Sequence, residues 1–216
     1  GSASVDRFYD YSTILTTFDG DATDNGWGPN ASYVDAGNAD GKYAHIDVAT
    51  EYQQWWGTMI YFRKDWSGNS FSFSDNIPAS ATADELYLTM NVYDAGDYNN
   101  GSYWGYLRYV IQPLGDAENQ YDNFEWPDGG AASNPQVGKY PDGPVLQDIN
   151  GKFYKKKWYR AVVPLSKFNC YAGKDFSAIK SVGLNQFRIQ SINQSTTSGK
   201  LDVKFDNIRV IYIPKK

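Results

Sequence analysis

Three places in the sequence set large aromatic rings beside side chains that donate and accept hydrogen bonds. Gln53-Gln54-Trp55-Trp56-Gly57 carries two adjacent indoles behind two amides, Trp27 stands between Asn25 and Asn30, and Tyr103-Trp104 follows Asn99-Asn100. This combination suits a ligand with apolar faces and polar edges. The CH faces of a pyranose stack on Trp and Tyr rings, while its hydroxyls bond to Asn, Gln, Asp, Lys and Arg. Arg and Lys stems can line the rim of such a platform. Trp27, Gln54, Trp55, Trp56, Asn100, Tyr103 and Trp104 are therefore the candidate ligand-binding residues, for a polysaccharide or oligosaccharide. The adjacent pair has two geometries open to it. In a regular strand successive side chains point to opposite faces, so one indole would turn inward; just ahead of a strand, both could face one ligand.

Other chemistries find little support. A single histidine, His45, excludes HExxH and any His-rich transition-metal site. It alternates with its neighbours in Tyr43-Ala44-His45-Ile46-Asp47-Val48 and reads as a strand residue facing solvent or loops. Cys170, the single cysteine, has no base near it in sequence and reads as a small buried or half-buried residue. There is no GxSxG elbow and no phosphate-cradling glycine loop. A sandwich-fold glycosidase needs two carboxyls roughly 5–10 Å apart. Glu118, Asp122 and Glu125 fall in a long loop, Glu51 has no second acid nearby, and the strand-borne E-x-D-x-x-E or E-x-D-x-E pattern of laminarinase-type hydrolases is absent. No catalytic residue is assigned. Asp19-Gly20-Asp21-Ala22-Thr23-Asp24-Asn25-Gly26 begins like an EF-hand loop, but Asp24 replaces the glycine at the sixth position and Asn30 the final glutamate. No metal ligands and no cofactor are assigned; a structural calcium on a sandwich loop is the alternative.

The charge balance agrees with these exclusions. A net charge of −5 and a pI near 4.8 argue against nucleic acid or an anionic membrane as main partner. No apolar run is long enough to span a bilayer, so no membrane insertion is expected of this chain. Lys152-Phe153-Tyr154-Lys155-Lys156-Lys157-Trp158-Tyr159-Arg160 is basic with interleaved aromatics. It reads as a solvated edge whose lysines discourage strand pairing; as a binding segment it would fit an acidic sugar better than DNA. Gly1-Ser2 reads as a cloning remnant, which leaves export signals outside the sequence's reach.

These residues must be positioned by strands. Aromatic residues make up 17 % of the chain, with 7 Trp and 18 Tyr, a bias that β-rich folds and polar binding surfaces share. Period-2 alternation is common and helical periodicity hard to find. Leu86, Leu88, Met90 and Val92 form a core-facing row, with Tyr87, Thr89, Asn91 and Tyr93 opposite. Further strands are expected at Tyr43–Val48, Thr58–Arg63, Phe71–Phe73, Gly105–Gln112 and Tyr159–Leu165. Leu201, Val203 and Phe205 alternate, then Ile208, Val210 and Tyr212 resume one residue late, which predicts a β-bulge around Asp206-Asn207. Val182 and Leu184 followed by Phe187 and Ile189 suggest another. Asp94–Ser102 reads as a hairpin loop, and Gly115–Gly151 as a long loop of the kind that is more often functional than idle. Trp158, at the head of a strand, is expected to pack in the core. The whole, residues 1–216, reads as a single all-β domain: a two-sheet antiparallel β-sandwich, or jelly roll.

Gly26-Trp27 after Asp19, Trp158 leading to Pro164-Leu165-Ser166-Lys167-Phe168, and Phe205-Asp206-Asn207-Ile208-Arg209-Val210 give the chain a family likeness. It resembles the C-terminal glycan-binding domain of Bacteroidetes cell-surface glycan-binding proteins, encoded in starch-utilisation-like gene clusters. The closing Asp-Asn-Ile-Arg-Val string recurs across many jelly-roll carbohydrate modules. The resemblance implies a non-catalytic sandwich that captures a neutral β-glucan such as xyloglucan or mixed-linkage glucan. It also implies a monomer with upstream domains, carried in full length by an outer-membrane lipoprotein of the bacterial cell surface. Xyloglucan-binding members build a platform from an early Trp and an adjacent aromatic pair, which by position are Trp27 and Trp55-Trp56, with Tyr103-Trp104 as a competing or extending pair. The rival functions are a sandwich-fold glycoside hydrolase or polysaccharide lyase, and a protein-interaction or adhesin domain that uses the aromatics as hot spots.

Overall fold

A computed structural model describes residues 12–16, 23–24, 32–35, 41–49, 58–63, 71, 73, 76–95, 106–112, 148–152, 154–168, 170–184, 186–192 and 200–215. Among these residues the strands are β1 (Ser12–Thr16), β2 (Thr23–Asp24), β3 (Ser32–Asp35), β4 (Lys42–Ala49), β5 (Thr58–Arg63), β6 (Leu86–Asp94), β7 (Tyr106–Gln112), β8 (Trp158–Pro164), β9 (Gln186–Ile192) and β10 (Lys200–Tyr212). They form the two antiparallel sheets of a β-sandwich. One sheet has six strands in the order β3-β4-β10-β6-β8, with β1 also on β10; the other has four, β2-β5-β9-β7.

The alternation in β6 explains how the larger sheet finds its core. Leu86, Leu88, Met90 and Val92 are all at most 2 % exposed. On the same face lie Val203 and Phe205 of β10, Ala161 and Val163 of β8, and Ala44 of β4, all within one core cluster. Rows of apolar side chains on neighbouring strands meet because directly opposed residues of an antiparallel pair share a face.

β10 is the hub of this sheet. Lys200–Phe205 pairs with β4, Ile208–Ile211 with β1, and the other edge with β6. The expected bulge is present. Asp206 pairs with Asn91 but Arg209 with Thr89, so three steps along β10 match two along β6. Asn207 takes the positive φ of 53° that absorbs the extra residue. Val203 and Phe205 before the break and Ile208 and Val210 after it are consequently all buried on one face of the sheet.

Four local expectations are corrected. Phe71–Phe73 is not a strand; Phe71 makes an isolated bridge to Leu184. Val182 and Leu184 do not belong to a bulged strand either, because Phe176–Val182 is a helix, α1. Its N-cap is Asp175, whose side chain accepts from the Ala178 N–H, and Gly183 at φ 71° ends it. Phe176 and Ile179, one turn apart, drive its apolar face into the core. Leu165 opens a 3-10 turn, Leu165–Lys167, instead of ending a strand. Finally, β6 and β7, which flank Asp94–Ser102, belong to different sheets and do not form the expected hairpin with each other; residues 96–102 lie outside the described residues. Of the long loop Gly115–Gly151, residues 115–147 lie outside the described residues. Its end is a tight turn in which Asp148 accepts from the N–H groups of Asn150 and Lys152, both at 2.9 Å, with Gly151 at φ 75°. Tyr154 also donates its hydroxyl to Asp148. Burial works against the Asp148 carboxylate, yet these three donors outweigh it and hold its pKa below the ordinary value.

Candidate functional site

Trp27, Gln54, Trp55, Trp56, Asn100, Tyr103 and Trp104 lie outside the described residues, but the strands next to them are described. β5 and β7 both pair antiparallel with β9, and therefore run in the same direction. Thr58 and Leu107 both pair with Ser191, which puts the starts of β5 and β7 at one end of the four-stranded sheet. Trp55-Trp56 immediately precede β5 in sequence, across Gly57, and Tyr103-Trp104 precede β7, across Gly105. β2 is antiparallel to β5 and leaves Asp24, which pairs with Phe62, heading toward that same end.

A second aromatic surface is described fully, on the face of the six-stranded sheet turned away from the core. The rung Lys204↔Tyr93↔Trp158 crosses β10, β6 and β8 there. Trp158 is 42 % exposed, which corrects its expected place in the core. The reason is parity: Ala161 and Val163 are the inward residues of β8, so the even-numbered Trp158 and Arg160 fall on the opposite face. The Trp158 ring meets Tyr93 at 5.7 Å between centroids and Tyr43 of β4 at 5.9 Å, the latter edge to face. The Lys204 ammonium lies 4.8 Å from the Tyr93 ring centre and 5.5 Å from that of Tyr43.

The stretch Lys152–Arg160 divides around this edge strand. Lys155 pairs with the buried Asp94 at 2.9 Å, and the Lys157 ammonium sits 4.8 Å from the centre of the Tyr154 ring. Tyr154 in turn packs on Tyr159, a half-buried residue against the core. Burial, with Asp94 and Asp148 adding to it, pushes the Tyr159 phenol far above its ordinary range. The exposed Lys152, Lys156 and Lys157 precede an outermost strand, consistent with a solvated edge.

His45 is half-buried on the same outer face, with Nε2 2.7 Å from Asp202 Oδ1. Among the described residues, His45, Asp47 and Asp202 bring one imidazole nitrogen and two carboxylates within 4.8 Å of one another. Asp47 and Asp202 face each other directly across β4 and β10, a like-charge pair that a positive imidazolium would offset. The mixed donor set differs from the all-oxygen shell calcium prefers. The Asp19–Gly26 stretch falls outside the described residues except for Thr23 and Asp24. Cys170 is a partly buried residue packed against the core, in line with its expected structural place.

Comparison with known proteins places this geometry in context. The family described as the xyloglucan-binding domain of surface glycan-binding protein B matches residues 8–212. No curated protein matches. Among solved structures, an SGBP-B from a complex xyloglucan utilization locus in Bacteroides uniformis superposes with a TM-score of 0.58 at 20 % identity, covering 93 % of this chain and 50 % of that one. A crystal structure with xylogluco-oligosaccharide gives 0.58 at 19 % identity, over 94 % of this chain and 39 % of the other. The surface glycan-binding protein PbSGBP-B from Prevotella bryantii gives 0.52 at 18 % identity, over 94 % and 56 %. The chain thus spans about half the length of these structures, and at such identities they share its fold.

Proposed function

The chain belongs to the xyloglucan-binding-domain family of surface glycan-binding protein B, and from that premise we propose that it holds a neutral β-glucan, such as xyloglucan or mixed-linkage glucan, without cleaving it. The platform is Trp27, Trp55, Trp56, Tyr103 and Trp104, with Gln54 and Asn100 bonding to sugar hydroxyls at its rim. The family match is the observation that carries this reading, and it spans every one of these residues. The strand directions support bringing them together, since β5 and β7 start at one end of their sheet and β2 runs toward it.

Stacking supplies affinity because it removes two apolar faces from water while leaving equatorial hydroxyls solvated or hydrogen-bonded. A shallow platform of this kind binds weakly, at roughly micromolar to millimolar Kd, or about −8 to −4 kcal/mol. Display of many copies on a surface raises the effective affinity for a long polymer. In this reading the chain acts as a monomer within a longer protein at the outer membrane and performs no chemistry of its own.

Affinity gels cast with a panel of soluble polysaccharides test the reading, run beside a reducing-sugar assay. Retardation by xyloglucan or mixed-linkage glucan with no sugar release is the expected result. Release that disappears on mutating a carboxylate would show an enzyme, and no retardation by any glycan would favour a protein-interaction domain. Trp27→Ala, Trp55→Ala and Trp56→Ala that all left binding intact would refute the platform while sparing the function.

A further inference from the structure

We propose that the outer face of the six-stranded sheet carries a second glycan-binding surface, centred on Trp158, which takes a neutral polysaccharide chain independently of the platform proposed above. The inference rests on the glycan-binding reading of the chain. Among the described residues, Trp158 and Ile149 are the large apolar side chains left exposed, and Trp158 alone of these lies in a sheet. A partly exposed indole set among two tyrosines offers an apolar surface on which a sugar ring can stack.

This ring is held in place before any ligand arrives. Tyr93 and Tyr43 pack against it at 5.7 and 5.9 Å, and Lys204 lies against both tyrosines. The four side chains come from β8, β6, β4 and β10, hydrogen-bonded neighbours in one sheet. A ring fixed in this way loses little freedom when a sugar stacks on it, which is the main cost of binding for a flexible aromatic.

The polar surroundings indicate the class of ligand. The next rung sets Asp206, Asn91 and Arg160 side by side across β10, β6 and β8. On the β4 side stand His45 and Asp202. Lys204 and Arg160 are thus set against Asp47, Asp202 and Asp206, so the face has no positive excess to attract a polyanion. What it presents is a mixture of donors and acceptors around an aromatic centre, the complement of hydroxyl groups on an apolar ring. This face looks away from the core and from the sheet whose strands adjoin Trp55-Trp56 and Tyr103-Trp104, so one domain could grip two chains or two segments of one chain.

The experiment uses the intact chain, Trp158→Ala, the triple Trp27/Trp55/Trp56→Ala variant and the combination of both, in affinity gels with xyloglucan and mixed-linkage glucan. Residual retardation in the triple variant that vanishes in the combined variant is expected. The indole N–H resonance of Trp158, identified by its loss in Trp158→Ala, should shift when xyloglucan oligosaccharide is added to the triple variant. Thermal melting checks that Trp158→Ala still folds, and Lys204→Gln should weaken the residual retardation while keeping Trp158 in place. A Trp158 resonance that does not move would overturn the proposal and leave the platform untouched. So would a Trp158→Ala variant that loses only self-association, because the ring would then serve a second copy of the chain. If the intact chain is retarded by no glycan, the reading beneath the proposal fails first and takes the proposal with it.

Discussion

Asp94 shows at the residue scale how this sheet tolerates a buried charge. It is 7 % exposed at the end of β6, with its carboxylate 2.9 Å from the Lys155 ammonium and its carbonyl accepting from the Lys156 N–H at 2.8 Å. A buried carboxylate deprived of its cation is much worse off than an exposed one. Lys155→Met should therefore cost about 1–2 kcal/mol, less than a fully buried pair because Lys155 is partly exposed. Lys156→Met should stay within about 0.5 kcal/mol, and urea titration of both variants gives the comparison. Trp55→Ala and Trp56→Ala, made singly, resolve the question posed by the adjacent indoles. If both rings face the glycan, each loss should weaken binding about 5- to 30-fold, or about 1–2 kcal/mol; if one turns inward, that variant should instead lower the melting temperature. Trp158 shows what a residue-level reading overlooks. Its type and position suggested core packing, yet counting parity back from Ala161 and Val163 assigns it outward, and that count was available in the sequence. Its partnership with Tyr43 and Lys204 was not, because those residues meet it only through the strand order β4-β10-β6-β8.

Elements were legible in proportion to the regularity of their apolar pattern. The row of β6 and the bounds of β5 follow directly from alternation, and the phase slip in β10 located its bulge within a residue or two. The bulge in turn depends on one backbone conformation. Asn207 at φ 53° accepts from Arg209 Nε at 2.7 Å and donates its N–H to Asp206 at 2.8 Å. Asn tolerates this region, Gly prefers it and a β-branched residue does not. Asn207→Val should cost about 1–3 kcal/mol, whereas Asn207→Gly should change stability by less than about 1 kcal/mol. Equilibrium unfolding of both variants checks this; equal losses would mean that the Arg209 contact, not the backbone, matters. Helix α1 went unread because seven residues give too little periodicity to separate from strand alternation. Its boundary signals were nonetheless present in Asp175 and Gly183, and Asp175→Ala should lower stability by about 1 kcal/mol.

At the scale of the whole molecule, the segment after β10 secures the central strand by returning to the start of β6. Ile213 donates to the Glu85 carbonyl at 2.9 Å, the Lys215 N–H to the Glu85 carboxylate at 3.0 Å, and the Lys215 ammonium pairs with Asp84. Thr82 completes the cluster, giving its N–H and hydroxyl to Glu85 and its hydroxyl also to Asp84. Such a joint between distant parts of the chain was invisible in the sequence, since nothing in Asp84-Glu85 or Lys215 signals that they meet. Its dependence on pH follows from the donors. The Lys215 and Thr82 N–H groups hold the Glu85 carboxyl below its ordinary 4.5, and the Lys215 ammonium with the Thr82 hydroxyl holds Asp84 below 3.8. A carboxyl whose pKa is lowered by folding stabilises the folded state above its unfolded value, and that contribution is lost as pH falls through the lowered, folded value. The joint should therefore be intact at neutral pH and open in acid, while binding of an uncharged glycan through aromatic stacking persists until the fold itself fails. Melting curves of the intact chain and Glu85→Gln between about pH 7 and about pH 3 test this. The gap between them should be widest near neutrality and close in acid. A gap that stays constant across the range would show that Glu85 acts through shape and not through its charge.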